Sequence, residues 1–404
     1  MLSFLLRMGI VFFSLLATGN AVSKDSVSEF HVATLDGKAF LNVYVSMPRK
    51  ERVSAGTKIP VIVVVPGTKA TADLYFNPLA PNFEQDEDGM LGLGSKLLAN
   101  GIAIVRFDTR GTVSGRRCMH GKTRALNFSE FVTDCWNNPA RKTVDFESLR
   151  QDIVTVYQLA MTLPDIDEKR MGVLAYSEGL LHVANVTGRA LIHPRFIAAI
   201  GGPAESPYKA GERQMCAFIP DLLAEHFSKN MTTLNVSEMA AVAQKRNWKG
   251  QDVVDLFGAK SEIDANDMIL AKEKLVTNFT NNLKVYSDVP RHAVFSETRD
   301  GINRVESSAG YMKDFFIEKT AFVEPLSELS GFAGPVEIFY GDNDQRLNVP
   351  INVGILEKEK LKNKHIHFNV YPHLGHGLEQ ENQETIPENV ANQIVKKFHW
   401  FLSN

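Results

Sequence analysis

Residues 171–182 read MGVLAYSEGLLH, an apolar run, then a small-Ser-Glu-Gly turn, then apolar residues at helical spacing. That order fits a buried strand that ends on a sharp turn and opens directly into a helix, with Ser177 at the turn. A serine there has two possible jobs. It can cap the helix with its hydroxyl, or the turn can hold that hydroxyl above the sheet edge, among helix N-terminal amides, as a nucleophile. Ala175 and Gly179 are small enough for strand, turn and helix to approach closely. The pentapeptide misses Gly-x-Ser-x-Gly only at Ala175, and by itself it leaves both jobs open.

Outward from this stretch the pattern repeats. On the N-terminal side, FESLRQDIVTVYQLAMTL (146–163) is helical in period, IAIVRFDTRG (102–111) is a strand, and MLGLGSKLLANG (90–101) is a helix. IPVIVVVPG (59–67) is a continuous β-branched run ending in Pro-Gly, as expected of a strand buried on both faces. FHVATLDG (30–37) and AFLNVYVSMP (39–48) form an opening hairpin across an Asp-Gly turn. On the C-terminal side a helix over 180–191 leads to the strand RFIAAIGGPA (195–204). Alternation of this kind predicts right-handed crossovers and a parallel α/β sheet. It stops over residues 205–334, a span of amphipathic pieces such as SEMAAVAQKR and DANDMILAKEKLVTNF, which predicts a largely helical insertion. It resumes with PVEIFYGDND (335–344), a helix over 349–361, the strand HIHFNVYP (365–372) and the helix ENVANQIVKKFHWFL (388–402).

With 404 residues, 44% of them hydrophobic, the chain can bury a full core. The formal net charge of -3, without a run of one sign, gives no reason to expect a nucleic-acid or anionic-membrane partner. The N-terminus places Arg7 before an apolar core at 8–17 and small residues around Gly19 and Ala21. This predicts a cleaved secretory signal over 1–21, with an uncleaved anchor as the alternative. The apolar core is short for a membrane span, so no stable membrane insertion is expected after cleavage. The mature chain is expected to be secreted or periplasmic, where disulfides form. Cys118 and Cys135 flank one polar loop and would staple it, leaving Cys216 as a buried thiol. The cysteine and histidine spacing offers no metal pattern. Arg116 and Arg117 lie in the same basic loop, able to meet a substrate carboxylate or simply to be solvated. Five Asn-x-Ser/Thr triplets occur, one of them at Asn185 inside the helix after Ser177.

From about Phe30 to the C-terminus the chain resembles the α/β-hydrolase family, in particular secreted esterase-like and serine-aminopeptidase-like hydrolases with a helical cap. The residues that carry the resemblance are FDTRG after the fourth strand, AYSEG after the fifth, YGDND after the seventh and HLGHG after the eighth, in the family order nucleophile, acid, histidine. The resemblance implies a mostly parallel eight-stranded sheet flanked by helices, with core segments 22–204 and 335–404 around a cap at 205–334. It implies a Ser-His-Asp triad of Ser177, His376 and Asp344. Asp344 stands three residues after the strand-ending Gly341, and Asp342 is the alternative acid. His376 lies between Gly375 and Gly377, and His373 is the alternative base. His182, one turn into the helix, reads as a packed core residue. The oxyanion hole would take backbone N–H groups from Glu178 and from Thr68 or Lys69.

The implied reaction is hydrolysis of a small or medium acyl ester in a covered, partly apolar pocket, with no cofactor. A dehalogenase would carry Asp at position 177, and a dienelactone-hydrolase-type enzyme Cys. Two alternatives stand beside the esterase. The first is a serine aminopeptidase or amidase, with Glu205, Glu212 or Asp221 holding a free amino terminus. The second is a non-catalytic binding protein on the same fold.

Overall fold

The computed structural model describes residues 26–53, 56–67, 92–112, 138–217, 233–245, 254, 256–258, 260–299, 302–380 and 385–403. The signal stretch 1–21, Thr68, Lys69, Arg116, Arg117, Cys118, Cys135 and Asp221 lie outside these residues.

The chain opens with the hairpin β1 (Ser26–Ala33) and β2 (Phe40–Met47), followed by β3 (Ile59–Val65), α1 (Leu93–Ala99) and β4 (Ala103–Phe107). The short α2 (Asn138–Arg141) precedes α3 (Phe146–Thr162), β5 (Ile166–Tyr176), α4 (Gly179–Gly188) and β6 (Ile197–Ile200). The span between the sixth and seventh sheet strands holds α5 (Pro207–Glu212), the two-residue strands β7 (Leu234–Asn235) and β8 (Glu262–Ile263) with α6 (Val236–Lys245) between them, and the long α7 (Ala265–Asp288). It continues with the hairpin β9 (Val294–Arg299) and β10 (Ile302–Ser308), then α8 (Ala309–Phe316) and α9 (Pro325–Glu328). The sheet resumes with β11 (Val336–Gly341), α10 (Val349–Lys362), β12 (Ile366–Tyr371) and the closing α11 (Glu388–Ser403).

Eight strands form one sheet in the order β1-β2-β4-β3-β5-β6-β11-β12. Only β2 runs against the rest, and every pair from β4 to β12 is parallel. This is the α/β-hydrolase fold. The alternation of strand side chains divides the core in two. Val61, Val63, Val65, Val173 and Ala175 pack with Ile153 and Val156 of α3, Val183 of α4 and Leu356 of α10. Ile62, Val64, Leu174 and Phe339 pack with Leu97 of α1 and Ile394 and Phe398 of α11. Each such side chain contributes on the order of 1.5–3 kcal/mol on burial, and both faces of β3 are filled. That is why its sequence shows a continuous apolar run rather than an alternation.

Local chemistry sets the element ends. Gly37 takes φ 67 in the hairpin turn, where Thr34 N–H donates to the Ala39 carbonyl. α3 begins with a capping box in which Asp145 accepts from Ser148 N–H and Ser148 Oγ accepts from Asp145 N–H. α4 stops at Gly188, short of the sequence-based end at Leu191. Ala190 turns left-handed at φ 55, and Leu191 N–H bonds back to the Val186 carbonyl. The inserted span has a small core of its own, around Leu234, Val236, Met239, Phe257, Ile263 and Ala271. It returns to the sheet-flanking layer through α9, where Glu328 accepts from Asn185 of α4 at 2.6 Å. Among the described residues no helix is long and apolar enough to cross a membrane.

Candidate active site

Ser177 leaves β5 with φ 51, the left-handed region that non-glycine residues rarely enter. Its N–H donates to the Ile200 carbonyl at the end of β6, and its carbonyl accepts from Leu180 N–H. The N-cap of α4 is Glu178, with no side-chain capping bond, so the serine hydroxyl is not the helix cap. Such a backbone costs roughly 1–3 kcal/mol and persists only where its surroundings over-determine it. Two glycines provide that constraint. A Cβ on Gly67 would stand 3.0 Å from Ser177 Cβ, and one on Gly179 would stand 2.7 Å from the Val65 carbonyl oxygen. The turn therefore lies directly against the end of β3.

The loops after β11 and β12 meet beside it. Asp344 Oδ2 accepts from His376 Nδ1 at 2.8 Å, while Asp344 Oδ1 accepts from Arg346 and Leu347 N–H at 2.7 and 3.0 Å. The Asp344 side chain is fully buried and that of His376 is 14% exposed. Asp342 is turned to another task, accepting from His373 N–H at 2.6 Å, and both of these alternatives are exposed. The imidazole of His376 sits edge-on to Tyr176, centroids 5.6 Å apart, and against Gly201, where a Cβ would stand 2.8 Å from its Cε1. Gly201 directly follows Ile200, the residue that holds Ser177 N–H. The end of β6 is thus shared by serine and histidine. In this resting geometry the Ser177 hydroxyl and His376 are not hydrogen-bonded to each other, a contact that commonly tightens only with substrate.

Glu379, Tyr311 and Arg141 lie around the site without any signal in the sequence. Glu379 folds back under the histidine loop, its carboxylate accepting from Gly377 N–H at 2.6 Å, and burial raises its pKa despite that bond. Glu178 lies in the first turn of α4, where N–H groups have no carbonyl partner within the helix. Its carboxylate is buried and doubly engaged. Oε1 faces His182 Nε2 at 3.0 Å, and Oε2 accepts from the Tyr311 hydroxyl of α8 at 2.6 Å. His182 is a packed residue, 3% exposed and edge-on to Phe146, and it also lines a cavity beside the serine turn. That cavity has a volume of ≈ 600 Å³ counting its mouth and is lined by Gly67, Glu178, Phe107, Ile153, Ser308 and Tyr311 among others. Arg141 lines it too. Burial lowers the pKa of the Arg141 guanidinium to about 10, which leaves it protonated at neutral pH.

The FDTRG turn braces the site. Asp108 accepts from Asn42 and Tyr44 on β2, while Arg110 bonds Asp152 of α3 and Asp36 of the β1–β2 turn, both at 2.6 Å. The two described acids considered for an amino-terminus clamp are occupied. Glu205 is 3% exposed and bonded to Arg213 and Asn352, and Glu212 pairs with Lys209. Asn185 is buried in α4 and donates to Glu328, so its triplet is no accessible glycan acceptor.

No protein-family model and no curated protein matches the sequence. Solved structures do align along nearly the whole chain. Est1E from Butyrivibrio proteoclasticus aligns with TM-score 0.49 and 13% identity over 93% of this chain and 99% of its own. A lipase in its open form aligns with TM-score 0.49 and 16% identity over 94% of this chain and 100% of its own. The acylaminoacyl peptidase of Pyrococcus horikoshii aligns with TM-score 0.46 and 13% identity over 95% of this chain but only 41% of its own. Likeness at this level concerns the fold. The chemistry has to come from the chain's own residues.

Proposed function

We propose that the chain is a serine hydrolase that cleaves carboxylic esters through an acyl-enzyme on Ser177. The observation that carries this reading is the strained serine turn beside a buried His376–Asp344 pair. Asp344 fixes the imidazole with the Nδ1 proton facing the carboxylate, leaving Nε2 to take the serine proton as Oγ attacks the ester carbonyl. The tetrahedral oxyanion is held by Glu178 N–H and by a second amide after β3, with Thr68 the favoured donor. Collapse breaks the ester C–O bond and His376 returns the proton to the departing alcohol. Water, deprotonated by the same nitrogen, then releases the acid. The serine is unactivated without this relay, and no cofactor is required.

Residues 205–334 are assigned as a cap over the carboxyl edge of the sheet, where open α/β sheets bind ligands. Ester cleavage is favoured over aminopeptidase action because Glu205 and Glu212 already hold basic partners. The deciding experiment compares kcat/KM for short p-nitrophenyl esters and aminoacyl p-nitroanilides. Esters are expected to be cut faster, and anilides cut faster than esters would move the assignment to a peptidase. Export is proposed from the N-terminal sequence, with Cys118 joined to Cys135. Peptide mapping of unreduced protein from its native compartment is expected to recover that linked pair, and free thiols at both positions would remove the bridge and weaken the export assignment.

A further inference from the structure

One hydroxyl from the inserted span reaches the residue that follows the nucleophile. Tyr311 of α8 donates to Glu178 Oε2 at 2.6 Å, and both residues line the cavity beside the serine turn. Glu178 matters through its backbone, because the peptide unit joining it to Ser177 carries the N–H assigned to the oxyanion. That unit is planar and rigid, so its orientation follows from where the chain holds the two residues on either side of it. Ser177 is fixed by its left-handed turn and by the bond from its N–H to the Ile200 carbonyl. Glu178 is a helix N-cap whose side chain makes no capping bond, so the common local tether of a helix start is not in use. Its carboxylate is held instead from two directions.

The two holds differ in what they can fix. His182 Nε2 lies 3.0 Å from Glu178 Oε1, but it is one turn along the same helix and moves with it. Tyr311 stands outside that helix and is itself anchored on α3. Its ring is edge-on to Phe146, centroids 5.7 Å apart, and Asp314, one turn further along α8, accepts from Phe146 N–H at 2.9 Å. α3 in turn packs on the sheet through Ile153 and Val156. The Tyr311 hydroxyl therefore ties Glu178 to a frame that does not move with α4. An oxyanion donor has to meet its target within about 2.7–3.1 Å, and a misplacement on the order of 1 Å lowers the rate steeply.

Resting on the serine-hydrolase reading, we propose that Tyr311 is a positioning residue for the oxyanion hole, its hydroxyl holding Glu178 so that the Glu178 N–H meets the tetrahedral oxygen. The test pairs two ketones with ester kinetics on the full-length chain. In 1,1,1-trifluoroheptan-2-one, Ser177 Oγ bonds to the carbonyl carbon, the carbonyl π pair moves onto oxygen as the oxyanion, and the serine proton passes to His376. Heptan-2-one stays trigonal and reports ground-state binding. With p-nitrophenyl hexanoate as substrate, Tyr311→Phe is expected to lower kcat about tenfold and to raise the Ki of the trifluoro ketone by about the same factor. KM and the heptan-2-one Ki should stay within about twofold of wild type. A side chain that binds substrate directly, or that only supports the fold, would shift KM or both ketones together. Either result overturns the proposal, as does a Tyr311→Phe chain with wild-type kcat. Glu178→Ala breaks the same bond from its other end and should give the same pattern, so the test stands on whichever of the two variants folds. The double variant should lose no more than Glu178→Ala alone, and losses that add would show that the hydroxyl acts by another route. A wild type inert to both the ester and the trifluoro ketone removes the hydrolase reading and this proposal with it, whereas hydrolysis that Tyr311→Phe leaves intact removes the proposal alone.

Discussion

At Ser177 one side chain and one backbone angle work together. The left-handed turn at φ 51 holds the hydroxyl away from β5, and the cost of that turn is met by packing on the end of β3. If the chemistry is as proposed, Ser177→Ala should leave the fold intact and lower kcat for esters by at least roughly three orders of magnitude. A folded, fully active Ser177→Ala would remove the assignment. Asp344→Asn and Asp342→Asn form the sharper comparison. The first leaves His376 without its carboxylate and is expected to lower kcat by as much as about 10⁴-fold. The second only weakens a bond to His373 N–H. Equal losses in the two variants would mean that the 2.8 Å contact to His376 is not the catalytic one. In the sequence, Ser177 was legible from the switch between apolar run, small turn and helical period. Asp342 and Asp344 stayed an ambiguous pair, because one backbone turn decides which carboxylate points inward. Tyr311 and Glu379 were silent, since partners meeting across the fold leave no local pattern.

At the scale of elements, the strand-turn-helix unit depends on two glycines that let β3 and α4 touch. A Cβ at position 179 would come within 2.7 Å of the Val65 carbonyl and 3.0 Å of the Pro66 carbonyl, both backbone oxygens that have little room to give. Gly179→Ala is therefore expected to destabilise the chain by about 1–3 kcal/mol. It should also depress kcat more than a distant variant of equal stability, by shifting Ser177. Denaturant unfolding and ester kinetics together check this, and a Gly179→Ala chain with wild-type stability would show that the close approach is unimportant. The main-sheet strands and their helices were readable because burial on both faces and the 3.6-residue period are strong signals. The inserted span was readable only as amphipathic helix. Its β7 and β8 are two residues long, too short for any period, and β9–β10 form a hairpin that shows no apolar alternation in FSETR and INRVESS.

Across the whole molecule, Arg110 ties the opening hairpin to α3 through Asp36 and Asp152, bracing the sheet edge from which the site is built. Burial alone would raise the Asp36 carboxyl, but hydrogen bonds from Arg110, Thr34 and Lys38 N–H outweigh it and hold the pKa at about 2. A folded-state pKa below the unfolded value of 3.8 means stability that is present above about pH 4 and lost as pH falls toward 2. Thermal unfolding of wild type and Asp36→Asn should accordingly differ near neutral pH and converge as pH is lowered through that window. A gap that stays constant down to about pH 2 would show that Asp36 acts by packing rather than by charge. The claim on which all of this converges is that the fold exists here to activate Ser177. Labelling the folded, full-length chain with a fluorophosphonate probe and mapping the adduct tests it most directly. One adduct on Ser177, absent in Ser177→Ala and much slower to form in His376→Ala, is the expected result; folded protein that takes up no label at Ser177 would contradict it.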